Sequence, residues 1–133
     1  MSEIRQRLKV FIVDDSTLMR ERLTELLGTV ATIEVAGTAS TAAMAIASIR
    51  AGRVDAVILD IDLNGESGLD VLKAVKQGPG APVVIMLSIH STAELGVHCR
   101  AAGADYYFEK GGSYDGIIGV LERLGEQHAR AAS

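Results

Sequence analysis

The chain has 133 residues, is 48% hydrophobic, and carries a formal net charge of −4 with no tryptophan, three tyrosines and two phenylalanines. That length fits one domain burying about 65 to 70% of its unfolded surface, around a core of Val, Ile, Leu and Ala. An acidic balance without any basic run argues against nucleic-acid binding, and no segment has the roughly 20 apolar residues of a membrane span or the apolar centre of a signal peptide, so a cytoplasmic location is expected.

Short aliphatic runs alternate with segments of helical periodicity, as in repeated strand-helix units. After a solvated lead-in, KVFIV ends at Asp14-Asp15. Ser16 then caps a helix whose apolar stripe is Met19, Leu23, Leu26, Leu27 and Val30, with Gly28 at or near its end. TIEVAG is the second strand; it precedes Ser40 and an alanine-rich helix that stops near Gly52, whose small stripe of Ala43, Ile46 and Ala47 packs close to the sheet. DAVIL ends at Asp60 and leads through NGES to a helix with Leu69, Leu72, Val75 and Lys76 on one side, closed by Gly78-Pro79-Gly80.

Pro82 opens the fourth run, which ends at Ser88. The segment 91–102 is the weakest helix, because Gly96 inside it costs about 1 kcal/mol relative to alanine. Leu95, Cys99 and Ala102 share its inner face, so the lone cysteine reads as a core residue rather than a redox centre. YYFE ends at Lys110, and a last helix from Ser113 carries Tyr114, Ile117, Ile118, Leu121, Leu124 and His128 on one face, with a tail from 127 expected to fray. The pattern predicts an α/β fold: a doubly wound, flavodoxin-like, five-stranded parallel sheet of order 2-1-3-4-5, as one domain over 1–133 with its core at about 8–126.

In that order the strand ends gather Asp14, Asp15 and Asp60 at the switch point, with Ser88 and Lys110 from the neighbouring strands. Singly, these residues read as helix caps, a loop hydroxyl and a solvated charge. Together they form a chemical set. Two carboxylates about 4 Å apart repel by about 4 kcal/mol at an effective dielectric of 20, so the cluster calls for a cation or a proton. Oxygen ligands without a His/Cys pair favour Mg²⁺ or Mn²⁺ over Zn²⁺. A carboxylate beside such a cation can attack phosphorus, and Ser88 and Lys110 are suitable donors to the transferred group.

On VDDS, LDIDLNGESG, LSIH and GADYYFEK, the chain resembles the receiver domains of two-component response regulators from Lys9 to about Glu126. The resemblance implies that Asp60 accepts phosphate from a sensor histidine kinase or phosphotransfer protein. It implies that Asp14, Asp15 and Asp60 hold Mg²⁺ (or Mn²⁺) with the backbone carbonyl of Asp62, and that Ser88 and Lys110 bind phosphoryl oxygens. Tyr107 matches the aromatic that turns inward with Ser88 on activation, remodelling the face of the fourth helix, fifth strand and fifth helix towards a downstream protein target, whereas Tyr106 reads as packing. Asp62 and His90 match positions that tune phosphorylation and hydrolysis rates. Two positions depart from the family pattern: Gly111-Gly112 follow Lys110 where a proline is usual, which makes that loop looser and leaves a cis peptide open, and Asn64 stands in place of proline.

The expected protein is a stand-alone receiver that promotes its own phosphorylation and dephosphorylation and acts by protein contact, rather than an enzyme with a free substrate. A haloacid-dehalogenase-like phosphatase is the enzymatic rival, since Asp60-Ile61-Asp62 offers two acids two apart, but that family places the pair on its first strand. A receiver-shaped interaction module that is never phosphorylated is the third reading. His98 and His128 read as surface or packing residues, and Gly78-Pro79-Gly80 lies away from any strand-to-helix phosphate turn, so no dinucleotide fingerprint is present.

Overall fold

Seven strands and five helices follow the chain in a computed structural model that describes residues 7–89, 92–111 and 113–132. They are β1 (Leu8–Val13), α1 (Thr17–Leu27), β2 (Ile33–Ala39), α2 (Ala42–Ala51), β3 (Ala56–Asp60), β4 (Asp62–Leu63), β5 (Glu66–Ser67), α3 (Gly68–Val75), β6 (Val83–Ser88), α4 (Ala93–Ala101), β7 (Tyr106–Glu109) and α5 (Asp115–Ala132). The main sheet is parallel, in the order β2-β1-β3-β6-β7. With the two-residue strands β4 and β5 set aside, this is the expected order and the doubly wound, flavodoxin-like topology.

The central strands are covered on both faces, which is why they read as unbroken apolar runs rather than alternating ones. Alternation survives in where each residue points. Val10, Ile12, Ala56, Ile58, Ile85 and Leu87 join Met19, Leu23 and Leu27 of α1 and Ile117 and Leu121 of α5 in one core. Phe11, Val13, Val57, Leu59, Val84 and Met86 join residues of α2, α3 and α4, with Cys99 fully buried among them. The period of two in the strands thus assigns α1 and α5 to one face and α2 to α4 to the other.

Short polar residues start the helices: the side chains of Ser16, Thr41, Ser67 and Thr92 accept from backbone amides in the first turns of α1, α2, α3 and α4. Two sequence expectations need correction. Helix α2 is capped by Thr41 and buries Ala45 and Ile49, while Ala43 and Ala47, expected on the stripe facing the sheet, are exposed. In an alanine-rich helix the small side chains mark no face, and the lone isoleucines are all that distinguishes one side. Helix α3 buries Val71 beside Leu72 and Val75, and Lys76 lies past its end, where its ammonium donates to the Pro82 carbonyl and Asp105, each at 2.7 Å. Helix α5 runs from Asp115 to Ala132.

Candidate functional site

The parallel register builds the site. Val13 of β1 lies opposite Leu59 of β3, so the next residues, Asp14 and Asp60, emerge side by side at the sheet's carboxyl edge. Ser88 ends β6 opposite Glu109 of β7, and its carbonyl accepts the Lys110 amide at 2.7 Å, fixing the point where the lysine leaves the strand. The Lys110–Gly111 peptide is trans, as no cis peptide occurs among the described residues.

Asp14, Asp60 and Ser88 are the only polar residues buried in the core among those described, at 1%, 2% and 1% exposure. Lys110 Nζ donates to Asp60 Oδ2 at 2.8 Å and stands 2.9 Å from Asp14 Oδ2. The second approach lacks hydrogen-bond alignment, so Asp14 Oδ2 is a buried oxygen with an ion-pair contact but no aligned donor. Asp60 Oδ1 accepts from the Asp62 amide at 3.1 Å, and Asp14 Oδ1 from the Ser16 amide at 2.9 Å.

One ammonium for two buried carboxylates leaves negative charge in surplus. Burial pushes the Asp60 carboxyl above its ordinary value and the Asp14 charge adds to this, outweighing the Lys110 and Asp62 hydrogen bonds. Burial alone would lower the Lys110 ammonium, but the two carboxylates outweigh it and the net direction is upward. Exposed Asp15 completes the cluster: one oxygen from each of Asp14, Asp15 and Asp60 lies within 4.8 Å of the others. A buried, donor-less carboxylate oxygen in an all-oxygen trio with surplus charge fits a hard divalent cation.

The segment after Asp60 holds a feature that the sequence reading missed. β4 and β5 pair antiparallel as a tight hairpin, with Asn64 at φ 51° and Gly65 at φ 92° in the two turn positions. Asn-Gly between paired strands is the signal for such a turn. Proline, locked near φ −65°, cannot occupy the Asn64 position, so the departure from the family pattern has a local reason. The hairpin exposes Asp62 and is tethered to α2 by Glu66 Oε1, which accepts the Ala42 amide at 3.0 Å. It returns the chain to Gly68, whose amide donates to the Ile61 carbonyl at 2.7 Å and where any Cβ would collide with the Asp60 carbonyl oxygen.

Tyr107 lies on the α2–α4 side, its ring against Gly96 of α4 and its hydroxyl buried without a hydrogen bond among the described residues. Tyr106 packs on the opposite core and its hydroxyl meets Arg123 at 3.4 Å, in keeping with a packing role. His98 is exposed, and His128 is half-buried, 3.9 Å from Asp55 at the far end of the sheet. His90 and Gly112 lie outside the described residues.

A fold of this class with a strand-end acidic trio facing a lysine is that of a signalling receiver, and sequence comparison gives the family. The model of the response regulator receiver domain matches residues 10–122, and the chain belongs to that family. The response regulator UvrY of Escherichia coli O6:H1 is 29% identical over 117 residues, 88% of this chain and 54% of that protein. A protein-glutamate methylesterase/protein-glutamine glutaminase of Burkholderia pseudomallei is 30% identical over 136 aligned residues, 100% of this chain and 37% of the relative. The chain thus spans about half the length, or less, of these curated relatives. The structure of chemotaxis protein CheY4 from Vibrio cholerae superposes with a TM-score of 0.79 at 27% identity, covering 89% of this chain and 98% of that one. The chain is a receiver domain of the two-component response regulator family, and no helix among the described residues is long and apolar enough to cross a membrane.

Proposed function

We propose that Asp60 is the phosphoacceptor, loaded by a sensor histidine kinase or phosphotransfer protein in the cytoplasm. The observation that carries this reading is the lysine bridge: Lys110 holds Asp60 Oδ2 at 2.8 Å in an acidic trio of which Asp14 and Asp60 are buried and Asp15 is exposed. Asp14, Asp15 and Asp60, with the backbone carbonyl of Asp62, would hold Mg²⁺ (or Mn²⁺). When bound, the cation neutralises charge on the carboxylates and on the phosphoryl oxygens.

Asp60 Oδ attacks phosphorus in line; the bond from phosphorus to the donor's leaving atom breaks and that atom keeps the electron pair. Lys110 then exchanges its bond to free Asp60 for one to a phosphoryl oxygen, and the Ser88 hydroxyl supplies another donor. The added charge draws Ser88 and Lys110 inward, and Tyr107 carries the change to the α4–β7–α5 face, where a downstream protein docks. Asp62 and His90, at the rim, would set water access to the phosphoaspartate. The domain promotes its own phosphorylation and dephosphorylation without turning over a free substrate.

The deciding experiment is intact mass after incubation with a small phosphodonor and Mg²⁺. Wild type is expected to gain one phosphoryl group and Asp60→Asn none. An undiminished gain in Asp60→Asn sinks the assignment, and no gain in wild type favours a receiver that works without phosphate.

A further inference from the structure

Arg20 of α1 grips the backbone of the acidic cluster from outside. Its Nη1 donates to the Asp14 carbonyl oxygen at 2.6 Å and its Nη2 to Thr17 Oγ1 at 3.1 Å. The first is a short, charge-assisted bond, and the second holds the guanidinium plane in place. Two other polar atoms of Asp14 are held by the sheet and the loop: its amide donates to the Ala39 carbonyl at 3.1 Å and its Oδ1 accepts from the Ser16 amide at 2.9 Å, while its Oδ2 faces Lys110. Asp15 differs. Its exposed carboxylate has no hydrogen bond or ion pair among the described residues, so its place in the trio is set by the backbone that carries it. That backbone is the peptide whose carbonyl Arg20 holds.

We infer that Arg20 is a positioning residue for the cation: by fixing the Asp14–Asp15 peptide plane it aims the Asp15 carboxylate at Asp14 and Asp60, and so sets cation affinity. The inference rests on the cation site proposed above. It has a sign that separates it from a simple field effect. A guanidinium near the site repels a divalent cation, so if charge were its only influence, removing it would tighten binding. If it positions the ligands, removing it weakens binding.

The test is Mn²⁺ titration of the metal-free protein, read as loss of the free-ion EPR signal, beside the urea unfolding midpoint in EDTA. Arg20→Gln is expected to weaken Mn²⁺ binding about tenfold, the scale of losing a group that orients a metal ligand, with the EDTA midpoint near that of wild type. Arg20→Lys, which keeps the charge but not the fork, falls between. Thr17→Ala, at an exposed position, weakens binding about threefold, the equivalent of one modest hydrogen bond. Equal or tighter binding by Arg20→Gln overturns the inference; should that variant not fold, wild-type affinity in both Arg20→Lys and Thr17→Ala overturns it. A different failure marks the underlying site: if Asp60→Asn binds Mn²⁺ as wild type does, the cation is not held by this trio and both readings fall together.

Discussion

Lys110 and Asp60, fifty positions apart in sequence, meet at 2.8 Å because strands β3 and β7 flank β6 with their carboxyl ends level. The same ammonium lies 2.9 Å from Asp14, and this sharing leaves the apo site short of positive charge. Asp60→Asn removes one carboxylate while its side-chain oxygen can still accept from Lys110. The metal-free variant is therefore expected to be more stable than wild type at neutral pH, by on the order of 1 kcal/mol, the scale of relieving one poorly compensated buried charge. Urea denaturation in EDTA checks this. Added Mg²⁺ is expected to narrow the gap, because only wild type gains the full benefit of binding; a less stable metal-free variant would show that Lys110 fully compensates both carboxylates.

The pH dependence follows from the same pair. Asp60 is raised in the folded state, so its protonated form is favoured by folding: its contribution to stability is fully present below the ordinary value of 3.8 and is lost as pH rises through the raised value. Metal-free wild type is thus expected to lose stability relative to Asp60→Asn as pH climbs through that window, and then to run parallel to it. Lys110 is also raised, so its contribution is present below the ordinary value of 10.5 and lost only as pH rises through the higher folded value. Stability curves for the two proteins, measured in pH steps from 4 to neutrality, test the first; a constant difference refutes it.

Gly68 couples the site to the start of α3. Its amide bonds the Ile61 carbonyl, and a Cβ there would strike the Asp60 carbonyl oxygen and come within 2.8 Å of the Ile61 Cα. Both obstacles are backbone, which cannot swing aside as a side chain can. Gly68→Ala is expected to cost about 2 kcal/mol in urea denaturation, within the range for overpacking a tight contact. Phosphorylation of the folded fraction should also fall, because the residues that move carry Asp60 and Asp62. A variant with wild-type stability would mean that the helix start can shift away freely.

The strand ends were the legible part of the chain. Asp14, Asp60, Ser88 and Lys110 each close an apolar run, and a parallel sheet leaves one edge where such ends can meet. The rest depended on finer physics. The face of α2 was misassigned because Ala43, Ala45 and Ala47 are alike in hydrophobicity, and the difference in their burial comes from contact with α3 and the sheet. The β4–β5 hairpin was hidden by its length: two residues a side are too short for alternation to show, although Asn64-Gly65 carried the turn signal. Arg20 gave no signal at all, since its bond is to a backbone carbonyl and charged residues are ordinary on an exposed helix face.

Tyr107 gives the last test. Its hydroxyl is buried and makes no hydrogen bond among the described residues, while its ring rests against Gly96, where no side chain intervenes. An unmet buried hydroxyl costs about 1 kcal/mol or more. The position is therefore held by the ring and opposed by the oxygen, a balance suited to a side chain that moves between two places. Tyr107→Phe keeps the ring and removes the cost, so the unphosphorylated protein is expected to gain about 1 kcal/mol, or about 4 °C in Tm. Thermal unfolding followed by circular dichroism in EDTA measures it. A loss of stability would show instead that the hydroxyl is bonded in solution, and that the observed placement of Tyr107 is secured rather than strained.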